Sequence, residues 1–208
     1  MRHENSRQLY LYWNMLRGNR TAPERSEIEP SDIRSILGDT FILEVSTSLR
    51  TISYRLAGTR LCAAHGRELK GLGYLALWSE EDNFEIARAV NQVYSKNTPM
   101  LLSYVARTES GRFVEFESIL LPLATAADGN QRVLGIAAPL KTPFWLGAEP
   151  VNQLTLRACR AVDAESRFSG DAPAMETEVD AEEPLASDFG PSTSRQYGHL
   201  TLLDGGLS

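Results

Sequence analysis

The chain has 208 residues, of which 42% are hydrophobic and 23% are charged, and its formal net charge is −6. This length suits one domain of ordinary size with appended segments, and the composition is that of a protein that folds. Residues 163–208 contain ten acidic and two basic residues, so they carry −8 and residues 1–162 carry +2. A nearly neutral domain lacks the clustered Lys and Arg that bind phosphate backbones, so we expect no nucleic-acid partner.

The sequence gives no sign of a membrane span or an export signal. It contains no run of about 18 apolar residues, the length a spanning helix needs. The first eight residues, MRHENSRQ, are polar, unlike a signal peptide. Two cysteines, Cys62 and Cys159, are too few for a disulfide framework. We therefore expect a cytoplasmic protein in a reducing compartment, with no membrane partner.

The first predicted element is an apolar helix near the N-terminus. Leu9, Trp13 and Leu16 recur at helical spacing, Tyr12 widens the apolar surface, and Gly18 supplies a stop. Each large buried side chain stabilises a fold by roughly 1.5–3 kcal/mol relative to exposure, so this helix must pack against something. Two partners remain open: a second copy of the chain, which would make a homodimer, or the helix's own sheet.

Alternating apolar residues predict a hairpin of two strands, at residues 40–45 and 51–57. A short polar link joins the two strands. Within the second strand, Ile52, Tyr54 and Leu56 occupy every other position, so we expect them to share one buried face.

Helical segments follow this hairpin. Gly58 breaks the strand pattern, and residues 59–71 become a short helical crossover that glycines interrupt. The longest predicted helix covers residues 79–97, with acidic residues in its first turn and Val90 on its apolar stripe.

Three strands are predicted in the second half of the domain, at residues 101–107, 112–121 and 132–138. Gly111 lies in the link between the first two and is able to take the positive φ of a hairpin turn. Beyond a segment rich in proline and aromatic residues, residues 151–162 are predicted as a helix, because Leu154, Ala158 and Ala161 share one side.

This order of elements indicates an α+β fold, with a five-stranded antiparallel sheet covered by helices on one face. The final segment has too few large apolar residues to offset its ordering entropy, so we expect a disordered acidic tail, although Tyr197–Leu203 regain strand character. The domain boundaries are 1–38 for an N-terminal helical cap and its connection, 39–140 for the core, 141–162 for the linker with its predicted helix, and 163–208 for the tail.

Three segments in order carry a family resemblance: LYLYWNMLRGNRTAPERSEIEPSDI at 9–33, ILGDTFILEV at 36–45 and YRLAGTRLCAAHGRELKG at 54–71. Over residues 6–140 the chain resembles the stand-alone PAS-domain proteins common in alphaproteobacteria. The resemblance implies a PAS-like core with the fold described above, and a role in signal transduction.

The resemblance also raises two cofactors of PAS domains, haem and flavin. Haem-binding members carry an axial histidine in the long central helix, and residues 79–97 contain none. Flavin-binding photosensors place a reactive cysteine in an N-C-R-F-L-Q motif, whereas Cys62 stands in R-L-C-A-A-H. We therefore expect neither cofactor, and we interpret Cys62 as a small buried thiol. His65 has no cluster of further ligands beside it, so no metal site is predicted.

A pocket between the sheet and the helices is the candidate ligand site. Its candidate residues are Tyr54, Arg55, Leu56, Arg60, Leu61, Val90 and Tyr104. Arg55 and Arg60, with Thr59 and Arg67, would converge at its mouth on a carboxylate or phosphate. The alternative for these arginines is ordinary surface ion pairing with nearby glutamates, and the alternative for the pocket is that it is filled by the protein's own side chains.

The sequence thus predicts a PAS-type sensory or regulatory module that has no output domain and no catalytic residues of its own. It would act by sensing a small ligand, by contacting other signalling proteins, or both. No nucleophilic triad, phosphate loop or catalytic carboxylate pair is recognisable in the sequence. Two alternatives remain: an interaction scaffold that binds basic partners through the acidic tail, and a small enzyme on a PAS-like fold.

Overall fold

The computed structural model describes residues 1–46, 48–125 and 129–162, and these form three α-helices and six strands. The helices are Glu4–Arg17 (α1), Thr59–Ala64 (α2) and Asn83–Lys96 (α3). The strands are Thr40–Ser46 (β1), Thr51–Ala57 (β2), Met100–Thr108 (β3), Phe113–Pro122 (β4), Gln131–Pro139 (β5) and Val151–Ala161 (β6). Within these residues no helix has the length and apolar character of a membrane span. The predicted tail and its terminal strand lie outside the described residues.

All six strands form one antiparallel sheet in the order β2-β1-β5-β4-β3-β6. The predicted α+β class is confirmed, but the sheet has six strands instead of five. Residues 151–162, predicted as a helix, form β6, which pairs with β3 and lies at the edge of the sheet. The helix prediction was wrong because two register shifts against β3, beside Ser103 and Arg107, break the alternation that would identify a strand.

Side chains alternate between the two faces of the sheet, so an apolar core forms on each face. The inner core lies between the sheet and α3, and its fully buried members include Leu43, Leu69, Leu77, Ile86, Val90, Val93 and Leu102. The loop between β5 and β6 adds Trp145 to the inner core. The outer core lies between the sheet and α1, and includes Leu9, Trp13, Ile33, Ile42, Ile119 and Leu134.

Helix α1 packs on its own sheet, which is one of the two partners left open by the sequence. Leu9 is 0% exposed and Trp13 is 2% exposed, while Tyr12 and Leu16 are partly buried against the outer core. The indole Nε1 of Trp13 donates a hydrogen bond to the backbone oxygen of Pro122 at 2.7 Å. These contacts fix α1 along β4 and β5.

A β-bulge in β2 changes the side to which Leu56 points. Ile42 of β1 lies opposite Leu56, but the next residue, Leu43, lies opposite Tyr54, so Arg55 is an extra residue in β2. Tyr54 therefore faces the inner core with Leu43, whereas Leu56 turns to the outer face with Ile42 and is 44% exposed. The prediction that Tyr54 and Leu56 share one buried face is wrong for this reason.

The chain passes very close to itself where β2 ends. A Cβ atom at Gly58 would collide with the backbone oxygens of Leu37 and Gly38, so only glycine fits there. The Gly58 N–H donates to the Thr40 oxygen at 2.7 Å. This approach places the first turn of α2, with Arg60, beside the residues that precede β1.

Candidate functional site

The space between the sheet and α3 is occupied by aromatic side chains. Six rings form a continuous series with successive centroids 4.9–6.0 Å apart, in the order Phe41, Tyr54, Tyr74, Trp78, Tyr104 and Phe116. None is more than 6% exposed. Burial raises the pKa of Tyr54 and Tyr104 far above its usual value, so their hydroxyls stay neutral. The predicted pocket residues Tyr54, Leu61, Val90 and Tyr104 lie in this inner core, packed against other side chains.

A cavity of about 460 Å³ borders α2 and the first turn of α1. We call it the first cavity. Its polar lining residues are His3, Asn5, Ser35, Asp39, Arg60 and Thr142. Apolar lining comes from α2, from β5 and from the loop that follows β5, and Leu61, Phe116 and Ala137 belong to it. An apolar wall with a few polar groups is typical of small-molecule sites.

Asp39 is the charged centre of the first cavity. Its carboxylate accepts two hydrogen bonds from Arg60, from Nε to Oδ1 and from Nη2 to Oδ2, both at 2.8 Å. This pairing raises the pKa of the Arg60 guanidinium further, so it stays a cation. Asn5 Nδ2 donates to the same carboxylate at 2.9 Å. Asp39 thus joins the first turn of α1 to the first turn of α2, and the sequence did not reveal its part in the site.

A second buried carboxylate holds the residues that precede α1. Glu117 of β4 is 1% exposed and accepts hydrogen bonds from two backbone amides, Arg2 N at 2.7 Å and His3 N at 3.0 Å. His3 in turn caps α1, because its Nδ1 accepts from the Asn5 N–H at 3.0 Å. This cap was not predicted from the sequence, since histidine is not a usual capping residue.

Arg55 and Arg60, predicted to converge at one pocket mouth, have different partners. Arg55 Nη1 lies 2.8 Å from Glu44 Oε2 on the surface of the β1–β2 hairpin. Arg60 pairs with Asp39, whose side chain is only 8% exposed. The two guanidinium groups therefore serve separate ion pairs.

Two further residues singled out by the sequence differ in burial: His65 is buried, whereas Cys62, interpreted as a buried thiol, is only partly buried. His65, which follows α2, is 7% exposed, and its Nδ1 lies 3.0 Å from the Val151 oxygen. Burial lowers the pKa of His65 to about 4, so its ring is neutral at physiological pH. Burial also raises the pKa of the Cys62 thiol, which keeps it protonated. In the described part of the chain, no three His, Cys, Asp or Glu side chains are grouped to hold a metal ion.

A family model described as "PAS domain" matches residues 1–138, which is more than half of the chain. The chain belongs to the PAS domain family. The matched part includes α1 and ends at Ala138, the last but one residue of β5, so β6 lies outside it and extends the sheet of this PAS domain. No curated protein matches the chain.

Solved structures of sensory proteins show a distant likeness to this PAS domain. An RNA-binding light-oxygen-voltage receptor is 14% identical, with a TM-score of 0.36, and the alignment covers 49% of this chain and 29% of the receptor chain. A sensory box histidine kinase/response regulator from Burkholderia thailandensis is also 14% identical, with a TM-score of 0.35, and the alignment covers 53% of this chain and 84% of that one. The PAS domain thus spans less than a third of the receptor's length.

Proposed function

We propose that this PAS domain is a cytoplasmic sensory and regulatory module, in which the state of the first cavity controls the packing of α1. Another signalling protein would recognise α1 and carry the signal onward. The observation that supports this most directly is the Asp39 carboxylate, which is shared between Asn5 of α1 and Arg60 of α2.

A small anion is the ligand that the first cavity suits best. The Arg60 side chain is 55% exposed, so a carboxylate or phosphate reaches it without opening either core. An anion bound to Arg60 competes with Asp39 for the guanidinium group. The Asp39 carboxylate then loses its ion pair, and its hydrogen bond to Asn5 is weakened. A hydrogen bond to a charged group contributes about 1.5–3 kcal/mol, which is enough to change the population of a second α1 position roughly tenfold or more.

The surface of α1 that faces away from the sheet is the proposed contact for a partner. Leu11 is 48% exposed and Met15 is 69% exposed, and they are four residues apart on the same side of the helix. A second copy of the chain, giving the expected homodimer, or another signalling protein would cover them. Neither nucleic acid nor a membrane is part of this proposal.

The proposed module performs no catalysis and uses neither haem nor flavin. Asp39 and Arg60 neutralise each other, and His3 is engaged in capping α1, so these residues of the first cavity are held in structural contacts. Helix α3 contains no histidine that would bind haem iron. Six buried rings occupy the inner core, between the sheet and α3.

Hydrogen exchange of α1 tests the coupling. Arg60→Gln removes the ion pair with Asp39, so we expect faster amide exchange in residues 4–17 than in the unchanged protein. Arg55→Gln is the matched control, because it removes an equally short pair on the hairpin that has no link to α1. Exchange in residues 4–17 that is the same in all three proteins would contradict the proposed coupling.

Native mass spectrometry of the purified protein tests the proposed binding of a small anion and the proposed homodimer. It reports bound small molecules and the number of chains together. An anionic ligand that is retained by the Arg55→Gln protein and lost from the Arg60→Gln protein would support Arg60 as the residue that binds it. A ligand retained equally by both variants would place the binding elsewhere.

A further inference from the structure

A second cavity, of about 500 Å³, lies on the outer face of the sheet beside β2. Its apolar lining includes Ile28, Ile33, Ile42, Leu56 and Leu134. Leu56 takes part only because the bulge at Arg55 turns it to this face. Leu56 is 44% exposed and Leu37, also in the lining, is 39% exposed, so apolar surface is open to solvent at this cavity.

Arginines are the charged residues of the second cavity. Arg25, Arg34 and Arg60 line it, and no acidic residue does. Arg60 is already paired with Asp39. Arg25 donates from Nη1 to the Ile28 backbone oxygen at 3.3 Å, and within residues 1–46, 48–125 and 129–162 neither Arg25 nor Arg34 forms an ion pair with a carboxylate.

Two of the acidic residues near Arg25 and Arg34 in the sequence, Glu27 and Asp32, have other partners. Glu27 pairs with Arg20 at 2.7 Å, and this bond lowers the pKa of the Glu27 carboxyl. Asp32 accepts a hydrogen bond from the Tyr12 hydroxyl at 3.4 Å. In the described part of the chain, the guanidinium groups of Arg25 and Arg34 thus lie at an apolar cavity with no carboxylate within ion-pair distance.

We propose that the second cavity binds a small molecule with one carboxylate group and an apolar body. The planar guanidinium of Arg25 or Arg34 matches a carboxylate through two parallel hydrogen bonds. The apolar lining then covers the body of the molecule and removes it from water. A volume of about 500 Å³ lies within the range of ordinary small-molecule sites. This site goes beyond the proposed function, because its occupancy does not require α1 to move.

Titration calorimetry with three probes tests the chemistry of the site. Decanoate, used below its critical micelle concentration, provides both the carboxylate and the apolar body. Decanol lacks the charge and acetate lacks the apolar body, so each should bind at least about tenfold more weakly than decanoate, the size expected for losing one charge-assisted contact or most of the apolar burial. Equal binding of decanol and decanoate would overturn the assignment of a carboxylate site, and so would an absence of decanoate binding at about 1 mM.

Two variants test the residues. Arg25→Gln/Arg34→Gln should weaken decanoate binding by about tenfold or more, because both guanidinium groups that lack a carboxylate partner are lost. Arg55→Gln is the control, since Arg55 is not part of the cavity lining and should bind decanoate as the unchanged protein does. All of these side chains are at least partly exposed, so the variants are expected to fold. Unchanged affinity in the double variant would refute the proposal.

Methyl NMR locates the probe independently of affinity. Decanoate in the second cavity should shift the methyl signals of Ile28, Ile42 and Leu56. The methyl signals of Leu102 and Ile86 should stay in place, because both are buried in the inner core. Shifts confined to the inner-core methyl groups would show that decanoate binds elsewhere and would overturn the assignment.

Discussion

His65 should make the free energy of unfolding of this PAS domain depend on pH between about pH 6.5 and pH 5, where few other groups titrate. Its ordinary pKa of 6.5 falls to about 4 because burial removes water from the imidazolium form. Folding therefore favours the neutral ring. The stabilisation is complete above about pH 6.5 and is lost progressively as the pH falls towards 4, by about 3 kcal/mol in total.

Urea unfolding at two pH values measures the effect. Between pH 7.5 and pH 5.0 the His65 contribution to the free energy of unfolding should fall by about 2 kcal/mol, calculated from the two pKa values. His65→Asn should remove this part of the pH dependence, because the Asn amide still reaches the Val151 oxygen but does not titrate. His3→Asn is the control, since Asn is a good capping residue and leaves His65 in place. Parallel stability curves for His65→Asn and the unchanged protein would refute the reasoning.

Three core substitutions and one surface control test the two cores by urea unfolding. Trp13→Phe leaves a buried carbonyl of β4 without its 2.7 Å donor, so we expect a loss of about 1–3 kcal/mol. Met15→Ala, which is 69% exposed on the same helix, should change stability by less than about 0.5 kcal/mol, and equal effects of the two changes would contradict the packing of α1. Gly135→Val should cost about 1–3 kcal/mol or prevent folding, because a Cβ there collides with the Phe41 ring; a fully stable variant would show that β5 lies differently. Leu102→Ala should cost about 2–5 kcal/mol through the cavity it leaves, and a loss below about 1 kcal/mol would mean that the inner core is loosely packed.

The bounds of the first two strands were predicted well from the sequence. The first hairpin was predicted at 40–45 and 51–57 and is found at Thr40–Ser46 and Thr51–Ala57. Edge strand β6 was missed because only two of its eleven residues, Val151 and Leu154, are buried, so its apolar spacing is irregular. The bulge in β2 was missed because an extra residue in one strand is defined only by its partner strand.

In the candidate site, single residues were identified from the sequence, but their contacts with residues far away in the sequence were not. Arg60 was identified from the sequence because it stands among other arginines near the start of a helix. Its partner Asp39 is 21 residues away and Asn5 is a further 34 residues from Asp39, so no spacing rule connects them. Glu117 contacts amides more than a hundred positions away. Only the folded sheet brings these groups together.

Of the three tryptophans of the chain, one lies in the outer core and two lie in the inner core. Trp13 is in the outer core with the Arg17 guanidinium 5.2 Å from its ring centre, Trp78 stands between Tyr74 and Tyr104, and Trp145 is in the loop after β5. Replacing any two of them with Phe would leave one natural fluorophore in a chosen layer of the molecule. Emission from Trp13 alone would report in real time whether the N-terminal helix leaves the sheet. Emission from Trp78 alone would show whether water enters the inner core when the helix moves.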